Sequence, residues 1–143
     1  MIPNKDSLSY LVIAVVILAL GTYGYFRASV SPAPNLTVTP PSYDFGSITP
    51  EPAKKRFKLE NTGNGVLRIE RVSTSCSCTS AELTNRKITS GDAATLTVTF
   101  DPTAMEPPIK GEVLRIVYVQ SNDPDREETK IRLTANVSGG DES

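Results

Sequence analysis

From Leu8 to Phe26 the chain reads LSYLVIAVVILALGTYGYF, with no charged side chain. Wound as an α-helix at 1.5 Å per residue, this run is about 28 Å long, close to the hydrocarbon thickness of a bilayer. Nothing C-terminal to it offers helices to pack against, so a membrane span accounts for it better than a buried core helix does. Tyr23, Tyr25 and Phe26 crowd one end as an interfacial aromatic belt would, and Arg27 closes the segment. Leu8, Leu11, Val12, Val15, Val16, Leu18, Leu20, Tyr23 and Phe26 are therefore expected to form a membrane anchor over 8–27, after an N-terminal tail over 1–7. The rival is a cleaved signal peptide, whose apolar region is usually about 7–15 residues followed by a small-residue site. The run here is longer, and Ala28-Ser29-Val30-Ser31-Pro32 puts a proline beside the scissile bonds. Lys5 and Asp6 offset each other on one side and Arg27 lies on the other, so charge leaves the orientation unset. A close cysteine pair downstream favours the N-terminus inside and the rest of the chain on the extracytoplasmic (periplasmic or extracellular) side of the cell membrane, as a single-pass protein.

After the anchor the pattern changes. Pro32, Pro34, Pro40 and Pro41 mark a stretch of small and polar residues, read as a semi-rigid linker over 28–38 that also holds a β-like piece, Leu36-Thr37-Val38-Thr39. Beyond it, short strands alternate with turns and no helical period appears. A Tyr43-Asp44-Phe45 piece is followed by Lys55 to Glu60, which alternates polar and apolar as a half-buried strand should. Asn61-Thr62-Gly63-Asn64-Gly65 is read as a turn of residues that tolerate positive φ. Val66 to Val72 forms the next strand, and Ser90-Gly91-Asp92 turns into Thr95 to Phe100, which Asp101-Pro102 ends. Glu112 to Val119 is apolar on both faces, as a central strand would be; Ser121-Asn122-Asp123-Pro124 turns into the final strand, Thr129 to Val137. The expected fold is all-β, an antiparallel β-sandwich of about seven strands over 39–137, preceded by one N-terminal transmembrane helix and followed by a flexible, acidic tail over 138–143.

Composition narrows function. The chain contains no histidine, which removes the commonest general base and metal ligand together with the Ser-His and Cys-His pairs. It contains no tryptophan either, so aliphatic residues, Phe and Tyr must fill the core. Setting aside Lys5, Asp6 and Arg27, the 15 basic and 16 acidic residues of the chain become 13 and 15. A nucleic-acid binder needs the opposite sign, because phosphate neutralisation supplies most of its affinity.

Read in order, Tyr43-Asp44-Phe45-Gly46, Asn61-Thr62-Gly63, Cys76-Ser77-Cys78-Thr79, Ser90-Gly91-Asp92, Val98-Thr99-Phe100-Asp101 and Ser121-Asn122-Asp123-Pro124 form a series that resembles the bacterial DUF1573 family. Members of that family look like the immunoglobulin-like domains of major sperm protein and of the ASPM-SPD-2-Hydin group. The resemblance covers Thr39 to Val137 and implies an immunoglobulin-like sandwich, an extracytoplasmic setting and a role in protein assembly. It implies no reaction. Where the family carries Cys-Gly-Cys-Thr, this chain has Ser77, a residue that does not take positive φ as cheaply as glycine.

Cys76 and Cys78 are the only cysteines, set in a Ser/Thr-rich loop over 73–80. Three readings compete: a structural disulfide, a Cu(I) site on two thiolates, and a labile redox pair. Zinc fits the pair poorly, because two further ligands of the right kind are missing. Lys54-Lys55-Arg56 is read as a solvated strand end, and Asp123, Asp125, Glu127 and Glu128 as a solvated turn ahead of a calcium site. Asn35-Leu36-Thr37 and Asn136-Val137-Ser138 match the glycosylation triplet, a pattern frequent by chance. Exposed edge strands could accept a partner strand, and the loop Thr103 to Pro108 could contact a partner or guard an edge.

No residue pair has a nucleophile-base arrangement, no cofactor is expected, and the protein is read as a non-enzymatic binding or scaffolding module. Its expected partners are the bilayer and the other subunits of a larger membrane complex, and not nucleic acid. The alternative is a Cu(I) metallochaperone or thiol-redox protein using Cys76 and Cys78.

Overall fold

The computed structural model describes residues 5–28 and 31–138, with side chains from 7–25 and 31–138. The chain forms two separate compact units that divide after Ser31. The first is helix α1, Lys5–Ala28. Its described side chains are all exposed, among them Leu11 at 60%, Val15 at 63% and Leu18 at 71%. The span Ser7–Tyr25 is long and apolar enough to cross a membrane. Phe26, the last of the expected anchor residues, lies within the helix, but its side chain is outside the described residues, as are the segments 1–4 and 139–143 of the expected tails.

The second unit is a sandwich of nine strands: β1 (Leu36–Thr39), β2 (Ser42–Ile48), β3 (Ala53–Asn61), β4 (Leu67–Thr74), β5 (Thr79–Leu83), β6 (Lys87–Ile88), β7 (Ala93–Phe100), β8 (Gly111–Ser121) and β9 (Glu128–Val137). One sheet runs β1-β3-β7-β5 and the other β2-β9-β8-β4-β6. The period-2 alternation of the sequence becomes burial directly. Along β7, Ala94, Leu96, Val98 and Phe100 are buried, and along β9 so are Ile131, Leu133, Ala135 and Val137. Phe57, Leu59, Leu67, Leu96, Val98, Val117, Val119 and Ile131 have no exposed surface and form the centre of the main core. Glu112 to Val119 lies in β8, a central strand between β9 and β4, with Val117 and Val119 buried on its inner face and Leu114 exposed on its outer one.

Four details depart from the sequence reading. The sandwich begins at Leu36, since β1 pairs along its full length with β3 and belongs to the sheet. Two strands, β5 and β6, escape the period-2 signal. One pair is parallel: β2 runs alongside β9, with a register shift between Asp44 and Ser47 around Gly46 at φ 68°. The segment over 28–38 is also no free spacer at its C-terminal end. Ala33 O accepts the amides of Asn64 and Gly65, both at 3.0 Å, and Asn35 O accepts that of Thr62 at 3.0 Å.

That docking explains the turn after β3. Gly63 and Gly65 do not adopt positive φ, which occurs only at Gly46, Gly91 and Gly111 among the described residues. A Cβ at Gly63 would lie 2.4 Å from Ala33 O, and one at Gly65 would lie 2.6 Å from Pro32 O. Glycine is required there for close approach, not for turn geometry.

Candidate functional site

Two ends of the sandwich differ in chemistry. Strands β3 and β7 are antiparallel, with Ala53 opposite Phe100 and Glu60 opposite Ala93. The ends are thus separated by the length of β3, about 27 Å at 3.4 Å per residue.

At the Asn61 end, buried polar groups form a latch. Asn61 Nδ2 donates to Gly65 O (2.7 Å) and Ile88 O (3.0 Å), while its Oδ1 accepts from the amides of Asn35 (3.2 Å) and Gly63 (3.1 Å). Every hydrogen-bonding position of that side chain is therefore used. Asp123 is fully buried, and its carboxylate accepts the amides of Leu36 (2.8 Å), Asp125 (2.9 Å) and Arg126 (3.3 Å). Asn122 bridges the chain by accepting from Arg68 N (2.7 Å) and donating to Val66 O (3.0 Å). Ser90 Oγ donates to Gly63 O at 2.6 Å. Three of the sequence markers, Asn61-Thr62-Gly63, Ser90-Gly91-Asp92 and Ser121-Asn122-Asp123-Pro124, thus meet in one structural device. Of the acidic cluster, Asp125, Glu127 and Glu128 are exposed, as a solvated turn requires, whereas Asp123 points inward and accepts hydrogen bonds from backbone amides. Among the described residues, no three or more His, Cys, Asp or Glu side chains are placed to share a metal ion.

The other end carries the sulfur. Here the β4–β5 loop crosses from the five-stranded to the four-stranded sheet, and the β7–β8 loop crosses back. Ser75 fixes the first loop to β8: its amide donates to Ile116 O (2.9 Å) and its Oγ accepts from Ile116 N (3.0 Å). Thr74 Oγ1 lies 3.0 Å from Cys76 O and 2.9 Å from Thr79 O. The bend brings the Cα atoms of Cys76 and Cys78 to 5.2 Å, with the sulfurs placed as a disulfide. Ser77 stays out of the positive-φ region, so serine fits this loop without the cost its β-carbon would otherwise carry.

The two sulfurs have different surroundings. Cys78 is buried at 2% exposure in a second apolar cluster with Phe100, Ala135 and Val137, whereas Cys76 is only half-buried. Arg115 Nε donates to Cys78 Sγ at 3.2 Å, and its guanidinium lies over the Phe100 ring at 6.0 Å. The Cys78 amide donates to Cys76 Sγ at 3.0 Å. Met105, from the β7–β8 loop, puts its Sδ 3.7 Å from Cys76 Sγ and is 42% exposed. Asp101 braces that loop by accepting from Thr103 Oγ1 (2.7 Å) and Thr103 N (2.9 Å), and these two hydrogen bonds hold its carboxyl below the ordinary aspartate range. Among the basic run, Lys54 and Arg56 are exposed, while Lys55 turns in to lie 4.0 Å from the centre of the Tyr43 ring.

Sequence reading singled out Cys76 and Cys78 but missed Arg115 and Met105. The Thr103 to Pro108 loop, expected to contact a partner or guard an edge, brings its methionine to the cysteines. The available signal was compositional: the chain has two methionines, Met1 and Met105.

A family model described as a protein of unknown function (DUF1573) matches residues 36–137. No curated protein matches the sequence. Among solved structures, a Porphyromonas gingivalis W83 protein of unknown function is similar at TM-score 0.69 and 22% identity, over 76% of this chain and 50% of that one. The VesB protease of Vibrio cholerae matches at TM-score 0.59 and 11% identity, over 71% of this chain and 31% of the protease. The human CEP192 PapD-like domain 7 matches at TM-score 0.56 and 12% identity, over 79% of this chain and 92% of that domain. This chain therefore spans half or less of the first two proteins. At these identities the likeness establishes the fold, an immunoglobulin-like, PapD-like sandwich.

Proposed function

The chain belongs to the DUF1573 family, and from that premise we propose that it is a non-enzymatic, membrane-anchored binding module, an accessory subunit of a larger membrane complex. The observation that carries this reading is helix α1, apolar on all sides and exposed along its described length. Such a helix is stable only where apolar surface surrounds it, in lipid or among other membrane helices. The PapD-like sandwich supports a binding role, because this architecture presents open sheet edges. Here these are β1 and β5 in one sheet and β2 and β6 in the other. The helix would span the bilayer with its N-terminus inside, leaving the sandwich on the extracytoplasmic face to meet its partner.

The test is extraction. Membranes washed at alkaline pH should retain the full-length chain, and a C-terminal tag in mild detergent should bring down a reproducible, stoichiometric membrane partner. Recovery of a soluble chain lacking the helix would replace the anchor with a cleaved signal. Recovery of the intact chain alone and monomeric would remove the subunit reading.

The cysteine end supports a second reading, sulfur-based metal or thiol chemistry, because Met105 and Arg115 converge on the two sulfurs from different parts of the chain. Cys76→Ser should then abolish Cu(I) binding or disulfide exchange by the reduced protein, and intact activity in that variant would dismiss it.

A further inference from the structure

We propose that the reduced chain holds one copper(I) ion on three sulfurs, the thiolates of Cys76 and Cys78 and the thioether of Met105. The proposal deepens the second reading above and rests on it for the two cysteines; the third ligand and the countercharge are added by the structure.

Geometry is the first support. Two sulfurs bound at about 2.3 Å to one metal, 120° apart in a plane, lie about 4.0 Å from each other. Met105 Sδ already stands 3.7 Å from Cys76 Sγ, the separation of co-ligands. Thiolate and thioether together are the soft ligands that select Cu(I), and none of the three needs a histidine. Met105 is also poorly placed for a packing role. At 42% exposure it leaves much of its apolar chain in water, while its sulfur touches Cys76.

Charge is the second support. Two thiolates and Cu(I) carry a net charge of minus one, which is costly beside a buried sulfur unless it is compensated. Arg115 supplies the positive charge, with Nε 3.2 Å from Cys78 Sγ and its guanidinium over the Phe100 ring. The Cys78 amide, 3.0 Å from Cys76 Sγ, gives the other thiolate a hydrogen bond. These are the outer contacts that orient ligands in a metal site. Cys76 and Met105 form the open side, from which the ion would enter and leave.

Loading requires the Cys76–Cys78 bond to break. An external dithiol would supply two electrons and two protons, becoming a disulfide itself while the chain gains two thiols. Cu(I) would then displace both thiol protons to solvent.

The experiment uses the full chain in detergent micelles, reduced with dithiothreitol, freed of it anaerobically and titrated with Cu(I) against a chromophoric Cu(I) chelator. X-ray absorption at the copper edge then counts the sulfurs. The wild type should bind one Cu(I) per chain with three sulfurs, and the oxidised chain none. Met105→Leu, a change on an exposed loop, should keep its thermal unfolding, lose one sulfur and bind more weakly by at least the roughly tenfold that loss of an outer-shell partner costs. Equal affinity and sulfur count in Met105→Leu would overturn the three-sulfur site while leaving a two-cysteine site standing. Failure of the reduced wild type to bind stoichiometric Cu(I) would overturn both.

Discussion

Asp123 sits with no exposed surface and, among the described residues, no ion-pair partner, yet both oxygens are occupied by backbone amides. Asp123→Ala would strand three donors, one of them Leu36 N at the start of the sandwich. We expect it to lower unfolding free energy by about 3 kcal/mol, read by urea denaturation, since hydrogen bonds to charged groups contribute about 1.5–3 kcal/mol and buried orphans add their own cost. The two kinds of glycine separate in the same assay. Gly63→Ala drives a methyl into backbone atoms of Ala33 and Asn35 and should cost about 2 kcal/mol or more. Gly46→Ala meets open space and should cost only the left-handed penalty, about 1–2 kcal/mol. At Asp101, Thr103→Val removes the hydroxyl that most depresses the carboxyl, so its NMR-monitored titration should move up toward the ordinary aspartate range. The bracing of the loop in the wild type is present above that range and fades as pH falls through the lowered value. None of these roles was legible in the sequence, because a turn motif states where the chain reverses and not which way its side chain points. Asp123 read as solvated for that reason.

At the scale of elements, strands with strict alternation were legible and weakly patterned ones were not. Lys55 to Glu60 and Thr129 to Val137 lie within β3 and β9, where every second side chain meets the other sheet. In contrast, β5 is Thr79-Ser80-Ala81-Glu82-Leu83, poor in branched and aromatic residues, and is a strand because β7 pairs with it along its length. β6 has two residues and exists through its pairing with Leu67 and Arg68. Truncating the centre, Phe57→Ala, should cost about 3–5 kcal/mol in the same denaturation measurement. Helix α1 predicts a different response. Val16→Arg places a charge near its midpoint at an insertion cost of about 3 kcal/mol, so the fraction of chain retained by alkaline-washed membranes should fall while the sandwich stays folded.

The whole molecule divides its tasks between the ends of one sandwich. The latch end receives the chain from residues 32–35, and three of the six family markers meet there in a structural role, which is part of why the fold was more legible than the function. The sulfur end was half legible. Cys76 and Cys78 are two apart in sequence, but Met105 reaches them only because two loops cross between the sheets at the same end, and Arg115 because β8 starts there, a consequence of strand order that periodicity does not encode. The central claim, an anchored subunit that works by binding, is tested most directly by native mass spectrometry of the protein released from its own membranes in mild detergent. The account predicts a particle containing the chain with helix α1 retained, together with a reproducible partner. A bare single chain, or one shortened by loss of the helix, would contradict it.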